Sequence, residues 1–207
     1  MLERTFTIGI DFDDVLIASA DRTTELYNEL YGTHLTRDDW YDDPSITAPW
    51  AVDSFSEVVS RVVEVHSMKK FENVQPIKDA RRVLQKLKDA GHTLIIITGR
   101  PVVLRTQTEQ LVEKYYKDIV STLYFTDHFS HEGERVSKGD IASTLGLTHF
   151  IDDVIQHAND VARIGVKTIL FSDNYKWNQA RADKGVIRLK SWQEIGEFFS
   201  EEERHAV

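Results

Sequence analysis

Two clusters of acidic residues each follow an apolar run that is typical of a buried β-strand. The first cluster is Asp11-Phe12-Asp13-Asp14, and the second is Asp152-Asp153. Ionised carboxylates resist burial unless a cation or hydrogen bonds compensate for their charge. Because hard oxygen ligands of this kind suit magnesium, the two clusters together predict one divalent-cation site built from both strand ends.

The spacing of Asp11 and Asp13 also permits phosphoryl chemistry. Residues i and i+2 of an extended strand face the same side, so both carboxylates can approach one reacting centre. One carboxylate could attack an electrophilic phosphorus, while the other exchanges a proton with the leaving group or with water. The structural alternative is that Asp13 and Asp14 only form a turn or a helix N-cap.

Two further positions favour an anion site. Thr98-Gly99 ends an apolar run, where a hydroxyl group and a free backbone amide form a small anion-binding nest. Lys138 precedes a helical pattern, so its ammonium group and the helix N-terminus could share one anion. Taken singly, each position also fits a plain strand-to-helix turn or a solvated surface lysine, and Asp153 fits a helix cap.

Composition narrows the class of function. The chain has 207 residues, of which 41% are hydrophobic, so it can bury a core and fits one domain with an inserted cap. A formal net charge of -9 argues against binding to a nucleic acid polymer, whereas a metal and a few basic residues would still allow a small phosphorylated substrate. The sequence contains no cysteine, no N-terminal apolar signal and no apolar stretch long enough for a membrane, so we expect a cytoplasmic protein.

Short β-rich runs alternate with helical patterns, which predicts an α/β fold with a parallel sheet. Predicted strands cover residues 7–11, 93–98, 122–125, 149–152, 167–171 and 186–189. Helices are predicted to begin at Pro76, Pro101 and Ser191, and Gly91 is predicted to end the first of them. The four motifs then lie at or just beyond the carboxyl ends of strands or at the following helix starts, where open α/β sheets bind ligands.

The segment between the first strand and Pro76 breaks this alternation. It contains no convincing core strand but two helical patterns, one ending near Gly32 and one over residues 55–68 that opens with Ser54-x-x-Glu57. We therefore predict a small helical cap over residues 17–74, inserted after the first strand of a core that comprises residues 1–16 and 75–207.

The order of the motifs (D-x-D, threonine, lysine, then D-D) resembles that of the haloacid dehalogenase superfamily of phosphohydrolases. The resemblance extends from residue 8 to about residue 171 and implies a three-layer Rossmannoid core with a parallel sheet and a small cap. It implies that Asp11 is the nucleophile that forms an aspartyl-phosphate and that Asp13 is the general acid/base. Asp14 is a departure, because many relatives have glycine there.

The same resemblance implies the remaining site residues. The phosphoryl group would be held by the strand-end motif and the lysine, namely Thr98, Gly99 and Lys138. Mg²⁺ would be bound by four aspartates, Asp13 through its backbone carbonyl: Asp11, Asp13, Asp152 and Asp153. Without a dication and a lysine these carboxylates would repel one another strongly.

Within the superfamily, the small cap, the run Phe71-Glu72-Asn73-Val74-Gln75-Pro76-Ile77 and Ile151-Asp152-Asp153 are similar to the 5′(3′)-deoxyribonucleotidase group. That likeness implies a magnesium-dependent 5′-nucleotidase acting on (deoxy)nucleoside monophosphates. Aromatic residues of the cap would stack on a nucleobase or, alternatively, form the cap's own core: Trp40, Tyr41, Trp50 and Phe55. Arg100 would contact a substrate group or form a salt bridge.

Other functions compete with this interpretation. A phosphatase acting on a sugar phosphate or another small phosphomonoester would use the same residues, and a phosphotransferase would return the phosphoryl group to substrate. A dehalogenase needs no metal, so Asp13 and Asp152-Asp153 argue against it. A non-catalytic phosphoreceiver module has no need of an inserted cap or of an acid/base residue.

Overall fold

The structure, a computed structural model, describes residues 5–40, 47–126, 136–171 and 175–205 of the chain. Its strands are β1 Thr7–Ile10, β2 Thr93–Thr98, β3 Thr122–Phe125, β4 His149–Asp152, β5 Lys167–Phe171 and β6 Val186–Leu189. They form one six-stranded sheet in the order β3-β2-β1-β4-β5-β6, and every pairing is parallel. The predicted α/β fold is therefore confirmed, and only β1 differs from its predicted bounds, because it ends at Ile10.

The central strand β1 has no room for a side chain at Gly9. Ile8 and Ile10 are fully buried, as expected for a parallel sheet that is covered on both faces. Between them, a Cβ atom on Gly9 would lie 2.4 Å from Leu147 Cδ1 and 2.9 Å from Phe150 Cδ2. Glycine at this position therefore allows β1 to approach the elements that carry the second acidic cluster.

The described residues form seven α-helices: α1 Ser19–Tyr31, α2 Phe55–Ser67, α3 Ala80–Asp89, α4 Arg105–Tyr116, α5 Lys138–Thr144, α6 Ile155–Arg163 and α7 Trp192–His205. None of the helices in the described ranges has both the length and the apolar character needed to cross a membrane. Each crossover between neighbouring parallel strands contains at least one of these helices or a shorter 3₁₀ turn.

The predicted start of α3 at Pro76 is wrong, because the helix begins at Ala80. Pro76 forms an isolated antiparallel bridge with Ile17. Asp79 has a φ of 64°, which is incompatible with a helix that continues through it. The predicted apolar face is nevertheless buried, and it consists of Ala80, Val83, Leu84 and Leu87.

Helices α1 and α2 lie between β1 and β2 in the sequence and contact each other. Helix α1 ends at Gly32, which has a φ of 65°, and α2 begins after Ser54, whose side chain accepts a hydrogen bond from the Glu57 amide. Both boundaries agree with the predicted signals to within one residue. The described residues between β1 and α3 contain no β-strand. The division into a cap of residues 17–74 and a core remains a prediction.

The strand order predicts a binding crevice beside β1. Chain connections lead from β1 to β2 on one side, whereas β4 pairs with the other side of β1. At such a reversal, the loops after neighbouring strands diverge and leave a crevice at their carboxyl ends. Asp11, Thr98 and Asp152 come from β1, β2 and β4 and lie at this edge of the sheet.

Candidate active site

Three aspartates that the sequence predicted as metal ligands lie together in the structure. Asp11, Asp152 and Asp153 each offer a carboxylate oxygen, and these oxygens lie within 4.8 Å of one another. Pairing between β1 and β4 brings them together, and the Asp11 amide donates a hydrogen bond to the Ile151 carbonyl at 2.8 Å. All three side chains are buried.

Lys138 is the cation of this cluster. Its Nζ lies 2.7 Å from Asp11 Oδ1 and 2.7 Å from Asp152 Oδ2. The contact with Asp152 is a hydrogen bond, and the contact with Asp11 is an ion pair of the same length. Ser137 caps α5, and this places Lys138 in the first turn beside the cluster.

Burial and charge act differently on the titrating groups of the cluster. Burial, together with the neighbouring Asp152 and Asp13, raises the pKa of Asp11 to about 6 in spite of Lys138. Burial also raises the pKa of Asp152, but Lys138 and His157 together outweigh this effect and lower it to about 2. Burial and the adjacent Asp152 hold the pKa of Asp153 well above its usual range. Although burial opposes it, attraction to Asp11 and Asp152 raises the pKa of Lys138.

These residues fit a divalent cation. Three carboxylates and one ammonium group leave two uncompensated negative charges when all are ionised. The ligands are oxygen atoms only, and all three carboxylates are buried. Hard cations such as Mg²⁺ prefer carboxylate ligands and retain several waters. The charge and the ligand type of the cluster are therefore suited to binding a divalent metal ion.

Thr98 and Gly99 follow β2, which neighbours β1. Thr98 is fully buried, and its hydroxyl oxygen accepts a hydrogen bond from the Arg100 amide at 3.2 Å. A hydroxyl that accepts from the amide two residues later forms a tight turn. The turn ends the strand at the same edge of the sheet as Asp11, which is where the sequence predicted a phosphate-binding element.

Arg100 pairs with the predicted acid/base residue. Its Nε and Nη2 donate to the two oxygens of Asp13 at 2.9 and 2.7 Å. The guanidinium group is buried, and it also donates to the Thr108 hydroxyl and lies 5.0 Å from the centre of the Phe12 ring. Burial raises the pKa of Asp13, but Arg100 outweighs this effect and lowers it to about 2. Of the two predicted roles of Arg100, the salt bridge is the one present in this structure.

Asp14 has a backbone conformation that glycine adopts more easily than other residues. Its φ is 55°, in the left-handed region that glycine adopts most easily and aspartate tolerates. Its buried carboxylate accepts from the Ala20 amide, and both oxygens lie 3.1 Å from that nitrogen. Burial raises the pKa of Asp14 well above its usual range. Asp14 therefore fixes the start of α1 relative to the acidic cluster.

Two of the four predicted aromatic residues, Trp40 and Trp50, pack on each other. Trp50 is buried, and its ring lies edge-on to Tyr27 and Trp40, with centroid distances of 5.2 and 4.9 Å. Trp40 also donates its indole N–H to the Thr24 hydroxyl. Phe55 is 41% exposed, and Tyr41 lies outside the described residues. The contacts of Trp40 and Trp50 match the alternative that they form the cap's own core.

Two residues of the site were not found from the sequence. His157 of α6 lies 3.5 Å from Asp152 Oδ2, and Trp177 donates a hydrogen bond to Asp153. His157 lies five residues after Asp152 near the start of α6, and this spacing could have indicated that it belongs to the site. No local pattern indicates Trp177, because the chain must fold back after β5 before the indole reaches Asp153.

A family model described as 5′ nucleotidase, deoxy (pyrimidine), cytosolic type C protein matches residues 4–202 of the chain. No curated protein sequence matches the chain significantly.

Solved structures of similar fold include a haloacid dehalogenase-like hydrolase from Streptococcus pneumoniae, at 15% identity and a TM-score of 0.68 over 94% of this chain and 98% of that one. A predicted phosphoglycolate phosphatase from Haemophilus somnus has 13% identity and a TM-score of 0.67 over 96% and 100% of the two chains. A predicted phosphatase from Clostridium acetobutylicum has 14% identity and a TM-score of 0.66 over the same shares. At these identities the likeness establishes the fold.

Proposed function

The chain belongs to the family of cytosolic type C 5′(deoxy)nucleotidases, which are phosphatases of the haloacid dehalogenase type, and we propose that it hydrolyses (deoxy)nucleoside 5′-monophosphates in a magnesium-dependent reaction. The observation that carries the proposal is the buried cluster of Asp11, Asp152 and Asp153 around Lys138. Such a cluster is costly to fold unless it binds a cation and an anionic substrate.

In the first step, Asp11 attacks the phosphorus atom and the phosphoester bond to the nucleoside breaks. Lys138 lies 2.7 Å from Asp11 and offsets the charge of the phosphoryl oxygens. Thr98 and Gly99 hold the same oxygens from the end of β2. The product of this step is an aspartyl-phosphate on Asp11 and, after proton transfer, a free nucleoside.

Asp13 moves the protons in this account. It protonates the leaving oxygen in the first step and takes a proton from the attacking water in the second, which returns Asp11 and releases phosphate. The Arg100 salt bridge keeps Asp13 ionised in this structure, so Asp13 must separate from Arg100 before it can carry a proton. Arg100 is then available to contact the substrate.

Asp11, Asp152, Asp153 and the backbone carbonyl of Asp13 would hold the metal. Bound Mg²⁺ supplies positive charge that offsets the converging carboxylates and the charge that develops on the phosphoryl group. The residues around it orient the ligands: Lys138 holds one oxygen of Asp152, and the Val154 amide donates to the other at 2.8 Å.

The cap of residues 17–74 would enclose the nucleoside. Trp40 and Trp50 would border the base, although their mutual packing leaves only part of the ring surface for stacking. The family description names deoxy and pyrimidine nucleotidases of the cytosol, and this supports both the substrate class and a cytoplasmic location. The second candidate function is hydrolysis of a sugar phosphate or another small phosphomonoester. The third is a non-catalytic module that binds phosphate.

The test is phosphate release from a panel of nucleoside and sugar monophosphates and p-nitrophenyl phosphate, with Mg²⁺ and with EDTA. Magnesium-dependent release that is greatest for nucleotides is the expected result. Release greatest for other phosphates would contradict the nucleotide assignment but keep the Asp11 chemistry. Absence of release from every compound would contradict the enzymatic proposal as a whole.

A further inference from the structure

Asp153 accepts a hydrogen bond from a side chain outside the predicted motifs. Trp177 Nε1 donates to Asp153 Oδ2 at 2.7 Å, and both side chains are buried. An indole N–H donates one hydrogen bond and accepts none, and a carboxyl oxygen is a suitable acceptor for it. A bound cation would favour the ionised carboxylate, and hydrogen bonds to an ionised acceptor are stronger than those between neutral groups. The contact therefore holds one oxygen of Asp153 in a defined position.

The indole is itself held in place. Its ring is stacked on Tyr175 with a centroid distance of 4.4 Å and an angle of 8° between the planes. The Tyr175 hydroxyl donates to the Asp14 carbonyl at 3.1 Å, and Asn178 donates to the Phe171 carbonyl at 3.0 Å. The segment that carries Trp177 is thus anchored both to the loop after β1 and to the end of β5.

We propose that Trp177 is a positioning residue that orients Asp153 toward the metal held by Asp11 and Asp152. This inference rests on the proposed Mg²⁺ site and adds a residue to it. Asp152 is oriented by Lys138 and by the Val154 amide. Trp177 provides a comparable restraint for Asp153, because its hydrogen bond limits rotation of the carboxylate about the Cβ–Cγ bond.

The orientation of a metal ligand by its hydrogen-bond partner has a measurable effect. Loss of such a partner typically weakens metal binding by about 10- to 100-fold. Trp177→Phe retains a ring that can stack on Tyr175 but removes the N–H group. We expect this variant to need at least about tenfold more Mg²⁺ for half-saturation. Its KM for p-nitrophenyl phosphate at saturating Mg²⁺ should be unchanged, and kcat should recover as Mg²⁺ is raised.

Trp192 offers a matched control. Its indole N–H donates to the Val15 carbonyl at 2.8 Å, and the side chain is 1% exposed. Trp192→Phe removes the same type of buried hydrogen bond without touching a predicted metal ligand. It should lower the unfolding temperature but leave the Mg²⁺ dependence as in the wild type.

The experiment measures the unfolding temperature of EDTA-treated, dialysed protein during titration with MgCl₂, because a ligand that binds only the folded state raises this temperature as it saturates the site. Wild type, Trp177→Phe, Trp192→Phe and Trp177→His are compared, the last of which keeps a ring N–H. The half-saturating Mg²⁺ concentration should rise for Trp177→Phe, rise less for Trp177→His and stay constant for Trp192→Phe.

The outcomes separate this inference from the proposed function. If Mg²⁺ stabilises the wild type and Trp177→Phe at the same concentration, or if Trp192→Phe shifts as much as Trp177→Phe, Trp177 has no positioning role. Tighter binding by Trp177→Phe, or weaker binding by Trp177→His than by Trp177→Phe, would also overturn it. If Mg²⁺ does not stabilise the wild type, the proposed metal site fails and the inference fails with it.

Discussion

The substitution Asp11→Asn is expected to make the metal-free protein more stable while removing its proposed activity. Asparagine has nearly the shape of the neutral aspartic acid but cannot carry its charge. In the absence of metal, burial raises the pKa of Asp11 to about 6, so ionisation at neutral pH is opposed by the folded structure. The acidic cluster is therefore a source of instability until a cation binds.

The size of the effect follows from the pKa. The usual pKa of an aspartate is about 4, and each tenfold change in proton affinity corresponds to about 1.4 kcal/mol. A pKa of about 6 for Asp11 therefore corresponds to a free-energy cost of roughly 3 kcal/mol at pH 7.5. In a chain of this size, a gain of that order raises the unfolding temperature by about 6 to 12 °C.

The pH dependence of stability tests whether the Asp11 charge destabilises the metal-free fold. A carboxyl group whose pKa is raised on folding contributes stability below the unfolded pKa and loses it as pH rises through the folded value. The advantage of Asp11→Asn should thus be near zero at pH 4 and reach its full size above pH 6 to 7. Unfolding in EDTA, followed by circular dichroism at several pH values, measures it.

Asp13→Asn is a control that is expected to lower the stability of the metal-free protein, whereas Asp11→Asn is expected to raise it. Arg100 lowers the pKa of Asp13 to about 2 against the effect of burial, so its charge stabilises the fold above the unfolded pKa. Its side chain is 26% exposed, and after allowance for screening by solvent we expect the free energy of unfolding to fall by about 2 kcal/mol at pH 7.5.

A lower stability of Asp11→Asn than of the wild type, in EDTA at this pH, would contradict the destabilising role of the Asp11 charge.

Two further substitutions, and kinetic measurements on Asp13→Asn, test the metal site, the acid/base role and the aromatic residues separately. Asp152→Asn should raise the Mg²⁺ concentration needed for half-maximal phosphate release, since it removes a charged ligand; an unchanged dependence would move the metal site elsewhere. Asp13→Asn should form the phosphoenzyme but release it slowly, and rapid-quench kinetics that show no accumulation would count against its role as acid/base. Trp50→Ala should destabilise the fold by about 3–5 kcal/mol, because the ring is buried. It should also raise KM for nucleotides more than for p-nitrophenyl phosphate, and equal effects would indicate a structural role only.

Local patterns predicted most of the fold. The strands are short apolar runs with acidic or polar ends, and such runs are specified by neighbouring residues. The start of α3 was missed because proline is common at the first helical turn, yet Pro76 here bridges to Ile17 instead. The predicted cluster of Asp11, Asp152 and Asp153 required only that their strands be neighbours, which the open α/β pattern favours.

Contacts between distant segments could not be predicted in the same way. Arg100 and Asp13 are 87 residues apart, and whether the guanidinium meets a carboxylate or a substrate depends on how the loops after β1 and β2 pack against each other. The bond from Trp177 to Asp153 depends on how the chain returns after β5. In both cases the sequence supplies the residue type, while tertiary structure selects the partner.

The most direct test of the proposed mechanism is to locate the phosphoryl group during turnover. Protein mixed with a nucleoside monophosphate and Mg²⁺ would be quenched in acid within a turnover, digested and analysed by mass spectrometry. Phosphorylation is expected at Asp11, in the peptide that contains residues 8–14, and none is expected in Asp11→Asn or in EDTA. Rapid phosphate release by Asp11→Asn, or a phosphoryl group on any other residue, would contradict the proposed mechanism.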